Sequence, residues 1–249
     1  MDRVHRVRRS AWAFIPARGG SKGIPLKNIA LLGGRPLLDY ASRAALASGC
    51  FERIVCSTDH PTIAQRAREL GLEVDVRPAE LASDTATTQA AILEWLARQG
   101  GWELPEFIFV VEPTSPFLRP ADIRLLLERF DADIDAVSAQ TVALPPHTHH
   151  AWNQRRLEGG YVRFAFAERK AVNFKQEKPI LYIFGNLLAC RTACLLAGQG
   201  LFDEPSVGVE IERPYDVNID YPDDMNLAEA LLRTGMVDLP HMSSVTDLD

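Results

Sequence analysis

The stretch from Ala17 to Asn28 sets Arg18, Lys22 and Lys27 around Gly19, Gly20 and Gly23, with the hydroxyl of Ser21 among them. Adjacent glycines let consecutive backbone N–H groups turn into one concavity, and three cations around it make a cradle for a polyphosphate. A solvated turn needs neither three cations nor three glycines. A Walker A loop requires Lys after its last glycine, whereas Ile24 follows Gly23, so the P-loop reading fails. Gly19-Gly20-Ser21-Lys22-Gly23 also matches the Gly-x-Ser-x-Gly elbow of serine hydrolases. That elbow normally lies deeper in a chain, and the flanking Arg and Lys favour a phosphate over an acyl group.

A second constellation is Asp216-Val217-Asn218-Ile219-Asp220. In an extended conformation residues 216, 218 and 220 share one face. Mg²⁺ takes one or two carboxylates and completes its shell with phosphate oxygens and water, which makes Asp220 the primary expected ligand and Asp216 a substitute. Asn218 offers a neutral oxygen but neither adds charge nor accepts a proton. The competing role for Asp220 is to cap the helix that follows Tyr221-Pro222. His147, His149 and His150 lack a Cys or acidic partner at ligand spacing and read as loop residues or acceptor contacts. Cys190 and Cys194 read as small apolar residues. Trp95, Trp102, Phe107 and Phe109 read as core.

The elements that must position these groups follow an α/β pattern from residue 11 to 138: apolar run, polar loop, helical stretch. Strands are expected at 12–16, 53–57, 73–76, 107–111 and 135–139, and ligands then gather beyond their carboxyl ends. Ile123, Leu126, Leu127 and Phe130 recur at helical spacing after Pro120, and Gly49, Gly71 and Gly100 are expected to stop three other helices. The regularity breaks at Gln140. From 140 to about 178 lie Pro145-Pro146, Gly159-Gly160 and the alternating residues 161–166, which read as an inserted β-ribbon. Strands are expected again at 180–184, 187–190 and 207–211, with a last helix over about 223–234. The working range is thus 11–234, with residues 1–10 and 236–249 as flexible termini.

Composition narrows the partners. The 249 residues carry a net charge of −6, which argues against a sequence-independent grip on nucleic acid or an anionic membrane face. No apolar run approaches a membrane span. Four cysteines without a C-x-x-C pair, and no apolar signal region behind the basic start, suit a reduced cytoplasmic setting.

The stretch 15–28, Ile-Pro-Ala-Arg-Gly-Gly-Ser-Lys-Gly-Ile-Pro-Leu-Lys-Asn, resembles the opening motif of the acylneuraminate cytidylyltransferases, which activate nonulosonic acids with CTP. Ser57-Thr58-Asp59, then Arg77 to Ala86, then Pro113-Thr114-Ser115-Pro116-Phe117-Leu118-Arg119 agree in the same order. The resemblance implies a Rossmann-like nucleotidyltransferase fold with a mostly parallel sheet flanked by helices. It also implies a ribbon that pairs two subunits into a homodimer, and a reaction that releases pyrophosphate with Mg²⁺ as helper. Carried onto this chain, it places Arg18, Gly19, Gly20, Ser21, Lys22 and Lys27 at the triphosphate of CTP. Arg77, Ala82 and Ser83 fall at the cytidine, and Arg18, Lys22 and Asp220 in catalysis. By residue type alone Arg77 reads as a surface ion pair, and Ser83 or Asp84 as a helix N-cap. The acceptor is expected against Glu112, Thr114, Lys175, Gln176 and Asn186.

Three positions depart from the family pattern. Asn218-Ile219-Asp220 stands for the usual Asp-x-Asp, Glu112 for a usual Gln, and Phe184-Gly185-Asn186-Leu187 for an Arg-Pro-Asn-Gly-like stretch. A carboxylate at 112 repels an acidic sugar unless a cation neutralises it, or it grips an amino or hydroxyl group. The expected acceptor is therefore an amino-bearing or otherwise unusual ulosonic acid, or another hydroxy acid, rather than plain sialic acid. A nucleotide-binding homologue without catalysis is the alternative that Asn218 raises.

Overall fold

The computed structural model of the chain describes residues 10–100, 103–166, 176 and 178–243. The basic leader, Trp102 and Lys175 lie outside the described residues. In chain order the strands are β1 (Ala11–Pro16), β2 (Leu31–Leu32), β3 (Arg35–Pro36), β4 (Arg53–Thr58), β5 (Glu73–Val76) and β6 (Phe107–Val110). They continue as β7 (Ser138–Ala143), β8 (Arg155–Glu158), β9 (Tyr161–Phe164), β10 (Ile183–Arg191) and β11 (Ser206–Ile211). The helices are α1 (Leu37–Ser48), α2 (Pro61–Glu69), α3 (Thr88–Ala97), α4 (Pro120–Ala132), α5 (Thr192–Leu196) and α6 (Pro222–Arg233).

Seven strands form one sheet in the order β11-β7-β10-β6-β1-β4-β5, parallel except for β10, which runs against both neighbours. β1 is buried along almost its whole length because helices cover both faces, as the unbroken run Ala-Trp-Ala-Phe-Ile requires. Ala11, Ala13 and Ile15 join the core that includes Leu38, Ile123 and Phe130, while Trp12 and Phe14 point the other way and pack with Trp95 of α3. This alternation is the pleat of the strand read out as two separate cores.

The α/β expectation and the ribbon are both present. Gly159 and Gly160 take φ of 57° and 81° between β8 and β9, which suits the tight hairpin turn that glycine permits. Gly49 and Gly71, with φ of 62° and 78°, close α1 and α2. Gly100 does not close α3; Arg98 ends it in a right-handed conformation.

Four boundaries move. The expected strand 135–139 begins at Ser138, because the Asp133 carboxylate accepts from the N–H groups of Asp135 and Ala136 and holds a turn ahead of it. It then runs through Gln140 to Ala143, since β10 and β11 pair with it on both sides. The expected strands at 180–184 and 187–190 are one strand, β10, with an irregularity between Phe184 and Leu188. The start and tail are packed rather than loose where they are described. Ser10 O accepts from Phe107 N–H, and Val237, Leu239 and Met242 are buried against Leu32, Leu37 and Phe117.

Candidate active site

β1 is the switch point of the sheet, because the chain turns from it toward β4 on one side and toward β6 on the other. A crevice beyond the carboxyl ends of β1 and β6 is where such a sheet binds ligands. The structure has a cavity of about 370 Å³ there, within the range of small-molecule sites. The loop after β1 supplies Arg18, Gly20, Ser21 and Lys27, the segment after β6 supplies Glu112 and Thr114, and the segment after β11 returns with Asn218 and Asp220. Ile219 N–H donates to Thr114 O at 2.8 Å and thereby ties the last two segments together.

Lys27 is the cation at the floor. Its ammonium lies 2.7 Å from Asp220 Oδ1 and 2.8 Å from Ile219 O, with 13% of the side chain exposed. Asp220 is thus paired rather than capping α6; the Asp224 carboxylate takes the N–H groups of Asp220 and Tyr221 instead. Asn28 Nδ2 donates to Arg18 O at 2.8 Å and locks the loop across its own width.

The other cations sit toward the rim. Arg18 Nη1 reaches Ser83 O at 3.0 Å, with Ala82 O at 3.5 Å, and meets Asp84 Oδ1 at 2.9 Å, while Lys22 holds Asp84 Oδ2 at 3.0 Å. Lys22 and then Arg18 hold the Asp84 carboxyl below its ordinary value. Ala82 and Ser83 therefore enter through their carbonyls, and Asp84 does not cap a helix. The N-cap of α3 is Thr87, which accepts from Ala90 N–H. Lys22 is 80% exposed at the edge of the crevice.

Two of the three glycines serve the protein rather than a ligand. Gly19 gives its N–H to Asp59 Oδ1 at 2.7 Å, and a Cβ on it would lie 2.9 Å from His60 Cβ. A Cβ on Gly23 would lie 2.1 Å from the backbone oxygen of Asp220. Gly20, with open space around it, and Ser21 remain as the parts of the turn that face the cavity.

Arg77 is buried rather than a surface ion pair. Its Nε donates to Ser57 Oγ and its Nη2 to Ser57 O, each at 3.1 Å, while Ser57 Oγ donates to Asp75, which also holds Arg98. Burial works against its charged form, and Asp59 and Asp75 support it. Ala86 and Thr88 line the cavity alongside Arg77. Residue chemistry marks neither one, since both are small and uncharged; Ala86 ends the segment 77–86 that carries the family resemblance, and Thr88 lies beyond it.

Glu112 stands on the same wall as Asp220. Burial, and next the charge of Asp220, push its carboxyl above the ordinary range, against Lys27 and hydrogen bonds from Asn218 and Thr114. Asn218 Oδ1 is buried without a hydrogen-bond partner. Among the described residues no three His, Cys, Asp or Glu side chains gather into a metal cage. The donors on offer are hard oxygens, a carboxylate and an orphaned amide oxygen beside the crevice, a set of the kind that suits Mg²⁺.

Several expected contacts are not brought to the cavity. Residues 212–217 form turns rather than an extended strand, with Tyr215 N–H on Glu212 O and Val217 N–H on Pro214 O. The alternation that would align Asp216 with Asp220 is lost, and Asp216 Oδ2 lies 3.7 Å from Arg213 Nε. Asn186 is buried and spent internally: Nδ2 donates to Tyr215 O, and Oδ1 accepts from Thr141. Gln176 is exposed, away from the residues that line the cavity, and Lys175 is outside the described residues. His150 caps Trp152 N–H and contacts Pro179 O, a structural role for that histidine. Cys190 is buried in the core.

Comparison with known proteins agrees with this geometry. A family model described as cytidylyltransferase matches residues 12–224. A CMP-N,N'-diacetyllegionaminic acid synthase of Legionella pneumophila is 30% identical over 88% of this chain and 95% of its own length. An N-acylneuraminate cytidylyltransferase of Streptococcus agalactiae is 26% identical over 85% of this chain and 50% of its own length. Among solved structures, a CMP:2-keto-3-deoxy-manno-octonic acid synthetase complexed with CTP superposes with a TM-score of 0.70 at 17% identity, covering 91% of this chain and 99% of that one. At that identity the likeness speaks for the fold.

Proposed function

The chain belongs to the cytidylyltransferase family, and from that premise we propose that it transfers CMP from CTP to the anomeric 2-hydroxyl of a nonulosonic-type 2-keto sugar acid. The observation that carries this reading is the joining of Lys27 and Arg18 with Glu112, Asn218 and Asp220 in one crevice at the switch point of the sheet. The acceptor oxygen forms a bond to the α-phosphorus of CTP as the bond to the β-phosphate oxygen breaks, and pyrophosphate leaves with the charge. Lys27, Arg18 and Lys22 neutralise that charge as it develops, and the enclosed floor holds the nucleophile close to the phosphorus. A bound Mg²⁺ would supply further neutralisation of the phosphates, held by Asp220 and the Asn218 oxygen. Arg77, Ala86 and Thr88 form the wall suited to the cytidine.

The names of the sugar-acid-activating relatives support the acceptor class. A homodimer is supported by the β8–β9 hairpin, which exposes Leu157, Tyr161 and Val162 at 75%, 72% and 68%. The cytoplasm is supported by four free cysteines. Among the described residues no helix is long and apolar enough to cross a membrane. A serine hydrolase is disfavoured, because Ser21 lines a cavity without a histidine among its described lining residues. Binding of CTP without turnover is the second reading, favoured by Asn218 where a carboxylate would serve.

Incubation with CTP, Mg²⁺ and a panel of ulosonic acids tests the proposal. Pyrophosphate release with at least one acid is expected. Release with none, while CTP still binds, selects the second reading.

A further inference from the structure

We propose that Glu112 is the second carboxylate of the divalent-cation site, supplying from the end of β6 the charge that Asn218 does not carry. The inference rests on the metal-assisted CMP transfer argued above.

Three observations lead to it. Glu112 and Asn218 come from segments distant in sequence, yet both line the same crevice, and the Ile219 N–H to Thr114 O bond at 2.8 Å fixes the two segments against each other. A carboxylate at 112 therefore borders the same space as one at 218. Charge balance is the second observation. Asp220 is already paired with Lys27 at 2.7 Å, so these two groups together present no net charge to a dication. Glu112 is the other carboxyl group that lines the crevice, and Asp216 is turned toward Arg213.

The third is the price of leaving Glu112 where it is. A carboxylate withdrawn from water needs a counter-charge of its own. The charge of Lys27 favours the ionised form of Glu112, but Lys27 is already paired with Asp220. A divalent cation between Glu112, Asp220 and the unpartnered Asn218 oxygen removes that deficit, and such hard oxygen donors suit Mg²⁺ or Mn²⁺. An acceptor amino group is the competing partner for Glu112.

The test titrates Mn²⁺ into the full chain with CTP and no acceptor, reading protein-bound Mn²⁺ from the enhanced relaxation of water protons. CTP binding in EDTA, followed by calorimetry, controls for folding. Glu112→Gln should weaken Mn²⁺ by about tenfold or more, because it removes one anionic donor. Adding Asn218→Asp to that variant returns a carboxylate to the same crevice and should recover wild-type affinity to within about threefold. Three results overturn the inference: unchanged Mn²⁺ binding in Glu112→Gln, a double variant no better than the single one, or an effect of Glu112→Gln confined to acceptor KM. Failure of the wild-type chain to bind CTP would instead overturn the underlying reading.

Discussion

Replacing Lys27 by Met separates what this lysine does for the fold from what it does for the reaction. Its ammonium sits 2.7 Å from Asp220 Oδ1, a gross attraction on the order of 5 kcal/mol at an effective dielectric constant near 20. Little of that reaches stability, because the Asp220 side chain is 63% exposed and water screens and solvates it. Pairs of that kind are worth about 1 kcal/mol or less. Turnover should suffer more. Lys27 is, with buried Arg77, one of the two least exposed cations on this cavity, and removing one preorganised charge from a transition state typically costs about 100-fold, roughly 2.7 kcal/mol. The variant should therefore lose about 1 kcal/mol in urea denaturation and about two orders of magnitude in pyrophosphate release at saturating CTP. Lys27→Arg, which keeps the charge, should fall between. Turnover within about threefold of wild type would refute the placement of Lys27 at the phosphates, as would a loss of activity that tracks unfolding.

Gly23→Ala puts a methyl 2.1 Å from the Asp220 backbone oxygen, so the phosphate loop and the Asp220 segment must part; a stability loss of about 1–3 kcal/mol by urea denaturation is expected, and CTP binding by calorimetry should weaken with it. Asp84→Asn should tighten CTP, since it frees Arg18 and Lys22 from a competing carboxylate. Because those cations lower the Asp84 carboxyl below its ordinary 3.8, the pairing is fully present above that value and is lost only as pH falls through the lowered one. Calorimetry from pH 8 down to 5 should show a constant difference between variant and wild type, and a difference that vanishes within this range would contradict the pairing. Burial pushes the Cys56 and Cys190 thiols up to about 12, so native alkylation at pH 8 followed by peptide mapping should find half-buried Cys194 labelled ahead of both.

Much of this site was legible because its chemistry is local in sequence. Cations and glycines within a dozen residues announce a phosphate loop whatever follows them, and the apolar run of β1 announces where that loop must start. What could not be read depends on segments meeting in space. Ala86 and Thr88 reach the cavity at the start of α3 with small uncharged side chains of their own. Asn186 looks like a polar ligand-reader until Thr141 and Tyr215 are seen to consume its amide at the irregular point of β10. The expectation for Asp216 failed at a single assumption, that residues 216–220 were extended; two turns removed it. The last described residues were read as loose because polar spacing hides Val237, Leu239 and Met242, which find their partners on α1 and α6.

The glycines of the loop differ in what the structure asks of each. Gly20 lines the cavity, and a Cβ on it would meet no protein atom within 4 Å. Gly19 instead commits its N–H to Asp59 and makes room for His60, so it anchors the loop to the end of β4. Gly23 lets the loop touch the backbone of Asp220, nearly 200 positions away, just where Lys27 reaches the same residue. The motif therefore encodes two joints and one position open to the cavity. A side chain at Gly19 or Gly23 damages phosphate binding by moving protein against protein, whereas one at Gly20 meets only the ligand. Alanine at Gly20 should accordingly leave the fold intact while weakening CTP, the reverse of the order expected if all three glycines served the nest alike.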